Sequence, residues 1–388
     1  MTASATPSGR VELTLRNPSP YTRGGPIVAP WQPVAAAGSL RSGTARVFYD
    51  GMGVPTQVDR LDPDDSSRDQ LVFSVDERVE KSEEDDYRAP CGTVAVHEGP
   101  QAAQGSAWVE VHPTGVKLGN GTLQLWVNTS AASPREDHRD DHWFGGAVTS
   151  VQLHGMEMLD AHGAAGGYHH HPDIRCMQVD RVHLVRPPWN VEGSEDVYLH
   201  NRNWRTVSAH AGAVRATAVI ASDPFRYSWK DTDGKPRIFD CAVYRAISLY
   251  PDVDWVGEEI WVKATPGGEG RPAHFWFVPR YFMMSNMSAY PDKFRYPDHP
   301  GWFVITSPAE PRQGYGFATD SMAGPLWHPP LDYPQGRTRH RSFSWELGAT
   351  RFAHSVHIFR QSTTPREISD AIGLLWYKQV YKPMRATL

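Results

Sequence analysis

Apolar and polar residues alternate with a period of two over much of the chain. Successive side chains of a strand point to opposite faces, so this period predicts half-buried strands. Val214, Ala216, Ala218 and Ile220 share one face, with Arg215 and Thr217 on the other. Val243, Arg245, Ile247 and Leu249 alternate with Tyr244, Ala246, Ser248 and Tyr250 before Pro251-Asp252 turns the chain back through residues 255–264. His274, Trp276 and Val278 oppose Phe275 and Phe277, and further strands are expected at 302–306, 315–319, 343–347 and 355–359. Earlier strands are expected at 11–15, 46–49, 54–58, 71–75, 94–96 and 107–111. Asp50-Gly51-Met52-Gly53 reads as a turn between two hairpin strands, Asn120-Gly121 as a two-residue hairpin, and Leu153-His154-Gly155-Met156 as a further turn. Asn17-Pro18-Ser19-Pro20 and Gly24-Gly25-Pro26 read as breaks.

One stretch changes period. Thr364 can cap a helix, Pro365 suits its first position and Glu367 completes a capping box. Ile368, Ala371, Ile372, Leu375 and Trp376 then fall on one stripe. The expected fold is therefore all-β with one C-terminal helix. Residues 1–10 are small and polar and are expected to form a disordered tail. Residues 11–112 are expected to form a small N-terminal β domain, and residues 113–388 a larger antiparallel β domain of stacked sheets.

Composition narrows the partners. Apolar residues make up 40% of 388, enough for a substantial core. A net charge of −5 favours neither nucleic acid nor an anionic membrane surface. No run of 18 apolar residues exists, and MTASATPSGR has no apolar signal-like core, so a cytoplasmic location is expected. Cys91, Cys176 and Cys241 are too few and scattered for a disulfide framework. The 14 tryptophans, 15 tyrosines and 14 phenylalanines suit β cores and also a sugar site, where flat rings stack on C–H faces. The acidic turn holding Asp62, Asp64, Asp65 and Asp69 is expected to be a solvated turn; it lacks the glycine and distal glutamate of a calcium loop.

Two segments carry sequence resemblances. VFYDGMGVPTQVDRLDPDDSSRDQLVFSVD, residues 47–76, resembles the opening β domain of exo-acting rhamnogalacturonan-lyase-like proteins. LGNGTLQLWV followed by GGAVTSVQLHGMEML resembles the start of a galactose-mutarotase-like β-supersandwich. VYRAISLYPDVDWVGEEIWVKA is similar to the central hairpin of that fold. The resemblance implies a β-supersandwich and a carbohydrate-active enzyme related to polysaccharide lyases. The larger lyases carry an α/α toroid with catalytic groups, for which this sequence shows no helical stretch, so no catalytic residue is carried over.

The candidate chemistry clusters around GYHHHPDIR, residues 167–175, and HNRNW, residues 200–204. β-Elimination on a uronate needs a base, an acid and a cation against the carboxylate. His170, His171, His200, Tyr281 and His328 are the acid–base candidates; Arg175, Arg202, Trp204, Arg280, Tyr290 and Trp327 are the substrate-binding candidates. His169, His171 and His200 are also the types of ligand that would hold a divalent metal, although no cofactor is required. An exposed loop with fortuitous histidines is the plain alternative. Hydrolysis would call on two carboxylates, from Asp173, Asp180, Glu258, Glu259 and Glu346, which no spacing pairs. Epimerisation or mutarotation, non-catalytic sugar binding, and an assembly role stay open, as does a homo-oligomer.

Overall fold

The computed structural model describes residues 9–17, 23–40, 44–79, 91–100, 103–132, 144–158, 177–185, 195–199, 201–230, 234–266, 276–283, 294–296, 302–306, 312–319, 326–327, 331–332, 339–344, 351–361, 365–376 and 385–388. It is all-β, with every described strand pair antiparallel. The strands form sheets of five, three, eleven and nine. No helix among the described residues is long and apolar enough to cross a membrane.

The two small sheets face each other. The five-stranded sheet runs Arg385–Thr387, Arg10–Arg16, Gly92–Glu98, Ala45–Tyr49 and Met52–Val54, so the last strand of the chain pairs with the first. The three-stranded sheet is Arg23–Pro30, Gln70–Val79 and Thr56–Asp59. Leu13, Leu15, Val47, Val94 and Val96 from the first meet Ile27, Leu71, Phe73 and Val75 from the second in one core. The chain crosses between the sheets at Pro55: Val54 pairs with Val47, and Thr56 already pairs with Phe73. The Thr56 hydroxyl fixes that corner by accepting from Val47 N at 3.2 Å and donating to Val54 O at 2.8 Å. Asp50 and Gly51 both have positive φ, 50° and 77°, which lets Tyr49 pair with Met52 across a two-residue turn.

Two expectations fail in this part. Gly24-Gly25-Pro26 does not break the chain but lies within the strand Arg23–Pro30. That strand pairs on one side only, so Pro26 deprives no second neighbour of a donor. Beyond it is a helix that the periodicity did not reveal, Trp31–Gly38, with Trp31 and Val34 buried. At eight residues it is too short for its stripe to stand out.

The eleven- and nine-stranded sheets bury their facing sides. Val116, Leu118, Leu125, Val127 and Val151 lie on one, and Ala218, Ile220, Val243, Ile247 and Ile260 on the other. Trp108–His112, expected to close the small β unit, instead pairs with Gly115–Gly119 as an edge of the eleven-stranded sheet. The Asn120-Gly121 hairpin also differs: the strands Gly115–Gly119 and Leu123–Asn128 are joined by three residues, 120–122. Asn120 Oδ1 accepts from Thr122 N and Leu123 N, while its Nδ2 donates to Tyr250 O and Val253 O of the other sheet. One asparagine thus closes a loop and ties two sheets. The C-terminal helix spans Pro365–Trp376 and buries Ile368 and Ile372, with Trp302 packed against them.

Between the large sheets lies a charged pair. Arg245 and Glu258 are 0% exposed and meet twice, Nε to Oε2 at 2.9 Å and NH2 to Oε1 at 2.7 Å. Arg245 also donates to Gly146 O from the opposite sheet's loop. Gly146 has φ +69° and lies directly under the Trp204 ring, so no side chain fits there. Removing one partner strands the other charge. Arg245→Met is expected to cost about 3–5 kcal/mol, and adding Glu258→Leu to recover most of it, as read by urea unfolding. A single-variant cost below about 1 kcal/mol would contradict this placement.

Candidate functional site

His169, His170, His171, Arg175, His200, Tyr290 and His328 lie outside the described residues, and with them the proposed metal ligands. Three other candidates fall on the eleven-stranded sheet. Tyr281 and Trp327 both stand opposite Phe343, on the strands that flank Arg339–Ser344. Arg280 stands opposite Arg181 on one side and Ser344 on the other. Backbone register therefore brings Arg280, Tyr281 and Trp327 onto neighbouring strands from distant parts of the chain.

Arg202 and Trp204 belong to the other large sheet, at the head of its strand Trp204–Ala211. Trp204 is 5% exposed: its ring covers Gly146, and its Nε1 donates to Leu199 O at 3.3 Å. Arg202 Nε donates to Tyr198 O at 3.1 Å, with the guanidinium 5.5 Å from the Phe225 ring centre. Asn203 Oδ1 accepts from Ala131 N at 2.8 Å, linking this turn to the eleven-stranded sheet. HNRNW is thus a turn held by backbone hydrogen bonds and ring packing over the described residues 201–204. Of the candidate carboxylates, Glu258 is spent on Arg245, and Glu259 lies 3.6 Å from Arg68. Burial pushes the Cys241 thiol up to about 12, with Asp240 adding to it, so it is no nucleophile at neutral pH.

The densest titratable cluster in the described residues was not expected from sequence. It lies where the small β unit docks on the outer face of the nine-stranded sheet. Arg215 Nε donates to Asp59 Oδ2 at 2.6 Å, NH2 to Gln70 Oε1 at 2.6 Å, and NH1 to Tyr250 Oη at 3.2 Å. Gln57 Oε1 accepts from Val214 N and Arg215 N, and its Nε2 donates to Asp59 Oδ1 and Arg215 O. That amide uses both ends against a strand of the other unit. His210 Nε2 lies 2.7 Å from Asp59 Oδ1; the carboxylate is 0% exposed and the imidazole 26%. Burial raises the Asp59 carboxyl, but the Arg215 charge and the contacts from His210 and Gln57 outweigh it and hold it at about 2. A charged, buried carboxylate thus lies beside a part-exposed imidazole.

A second contact group lies further along the same face. Tyr244 and Trp261 stack with ring centres 5.3 Å apart. Lys263 Nζ lies over Tyr244, Arg68 lies over Trp261, and Leu61 fills the apolar space beside them. Lys263 also pairs with Asp62, whose Oδ1 accepts from Asp64 N. The acidic turn is therefore only in part the solvated turn expected from its composition: Asp62 and Asp69 are buried, while Asp64 is exposed. No group of three or more His, Cys, Asp or Glu side chains is placed to hold a metal ion among the described residues.

No protein-family model matches the chain. No curated protein matches it either. Among solved structures, a glycosyl hydrolase family 38 protein from Enterococcus faecalis matches 98% of this chain over 47% of its own, at TM-score 0.50 and 11% identity. An α-mannosidase from Enterococcus faecalis V583 matches 98% of this chain over 46% of its own, at TM-score 0.49 and 9% identity. This chain spans about half the length of the structures it matches. At 11% identity the first match establishes a shared fold. That structure is of a glycosyl hydrolase, where the sequence resemblance pointed to lyases.

Asp59 gives the site a pH signature. A carboxyl held at about 2 in the fold and near 3.8 when unfolded stabilises the fold above the higher value. The contribution, about 2 kcal/mol, is lost as pH falls from about 4 through about 2. Urea titrations across that range are expected to show this loss in the parent chain and a flatter acid limb in Asp59→Asn. Equal acid limbs would place the acid sensitivity elsewhere.

Proposed function

We propose that the chain is a carbohydrate-active enzyme that cleaves glycosidic bonds, with hydrolysis as the first reading. One observation carries it: 98% of the chain falls on the fold of a glycosyl hydrolase family 38 structure. The abundance of aromatic residues supports the same ligand class, since ring faces and sugar C–H faces complement each other. The proposed site centres on Tyr281 and Trp327, which backbone register places in the row of Phe343 on the strands either side of it, while Arg280, next to Tyr281 along its strand, falls on the alternate face. His170, His171, His200 and His328 are the proposed proton-transfer groups, with Arg175, Arg202 and Tyr290 as proposed substrate contacts. No cofactor is assigned, and a divalent metal on His169, His171 and His200 is a subsidiary proposal.

The register of Arg280 against Arg181 favours a second reading. Two cationic residues at one row are the part that neutralises the carboxylate in β-elimination on a uronate. A single assay separates the two. The protein is incubated with neutral oligosaccharides and with uronate oligosaccharides, and both reducing ends and ultraviolet absorbance of a conjugated C=C bond are followed. Reducing ends without absorbance support hydrolysis; absorbance on uronates alone moves the assignment to lyase. Neither signal on any substrate overturns the enzymatic proposal. In the active case, Tyr281→Phe is expected to lower kcat by about 100-fold or more while leaving KM within a fewfold.

A further inference from the structure

We infer that the outer face of the eleven-stranded sheet, along the strand Gly115–Gly119, is a binding platform for a neutral linear glycan, separate from the proposed catalytic site. The argument starts from two glycines. A Cβ on Gly119 would run into the indole of Trp108, and one on Gly115 into the indole of Trp126 and Val127 O. Trp108 stands opposite Gly119 on the edge strand Trp108–His112, and Trp126 comes from the strand on the other side. Each ring therefore reclines across the same strand, over a position with no side chain. The two glycines are four residues apart, about 13 Å along a strand, so a chain of several pyranose rings lying along it meets both indoles.

The side chains between and around the rings fit that occupant. Lys117 lies midway, with its Nζ 5.4 Å from the Trp108 ring centre, and His112 lies 5.2 Å from that of Trp126. Gln124 and Gln152 pair across strands in the row of Gly119, placing one half-buried amide next to the glycine that the Trp108 ring covers and a second one strand further on. The charges named on this face are one cation and two carboxylates. Lys117 stands opposite Glu110, and Glu157 is tied to Ser150 Oγ and Val151 N. Flat rings, amides and a small excess of negative charge suit the C–H faces and hydroxyls of uncharged sugars and give no affinity for a polyuronate. Trp108, Lys117, Gln124, Trp126 and Gln152 are all partly open to solvent, while the opposite face of the same strands is buried core.

The test uses the full chain and titrates linear hexasaccharides of mannose, glucose and xylose, with an oligogalacturonate as the charged contrast. At least one neutral hexasaccharide is expected to bind, the oligogalacturonate more weakly, and Trp108→Ala and Trp126→Ala each to weaken binding about tenfold or more. Because both rings also cover glycines, the wild-type chain is footprinted by hydrogen exchange, which needs no variant. Bound glycan is expected to protect residues 108–128. No binding, preference for the oligogalacturonate, or protection confined to other segments would overturn the inference. Turnover of a sugar together with protection elsewhere would remove the platform and leave the enzymatic proposal standing.

Discussion

The ion pair between Asp59 and Arg215 joins parts of the molecule that have separate cores. Asp59 ends a strand of the small β unit, and Arg215 immediately precedes the strand Ala216–Ser222 of the nine-stranded sheet, 156 positions further along the chain. Both are buried, so neither charge has water to fall back on. Arg215 meets a carboxylate, an amide oxygen and a phenol; Asp59 meets a guanidinium, an amide and an imidazole. Such a pair adds little net stability over a well-packed apolar contact, because desolvation consumes most of the attraction. Its effect is on geometry: any shift of one unit against the other leaves a buried charge without its partner.

The docking face has two chemical ends. Near Leu61 it is apolar, with Val219, Ala246, Tyr244 and Trp261. Near Gln57 it is polar, with Arg215, Tyr250 and the hydroxyl pair of Thr217 and Ser248 at 3.0 Å. The apolar end supplies hydrophobic burial, which is not directional, and the polar end supplies register. The last strand of the chain closes the arrangement from the other side by pairing with the first. The eleven-stranded sheet, which carries Arg280, Tyr281 and Trp327, is held to the nine-stranded one by Asn120, Asn203 and Arg245. A chain of specific polar contacts therefore runs from the small unit to the sheet on which the proposed site lies.

Much of this fold was legible in the period of the sequence. The strands around Arg215, Arg245 and Glu258 alternate as their residues require, and the turns at Asp50-Gly51 and His154-Gly155 have the positive φ values such pairs favour. Arg215 amid an apolar strand was itself a signal, because a charge on a strand buried on both faces needs a partner. Which partner it takes was not legible, since Gln57 and Asp59 sit in a segment whose pattern is that of any half-buried strand. The acidic turn misled for a related reason. Composition reads as solvation until another unit supplies Lys263 to Asp62 and Glu259 to Arg68. On the eleven-stranded sheet, register puts Tyr281 and Trp327 in one row on either side of Phe343, a pairing of distant strands that no local pattern encodes. The short helix Trp31–Gly38 and the strand through Gly25 and Pro26 depended on one-sided pairing and on packing, which local periodicity does not report.

A double-mutant cycle on Asp59→Asn and Arg215→Met, read by urea unfolding at neutral pH, measures the joint between the units directly. A coupling energy of about 1.5 kcal/mol or more is expected, with the double variant recovering part of what each single variant loses. Strictly additive losses would contradict the account, because the two groups would then be stabilising the fold through separate surroundings.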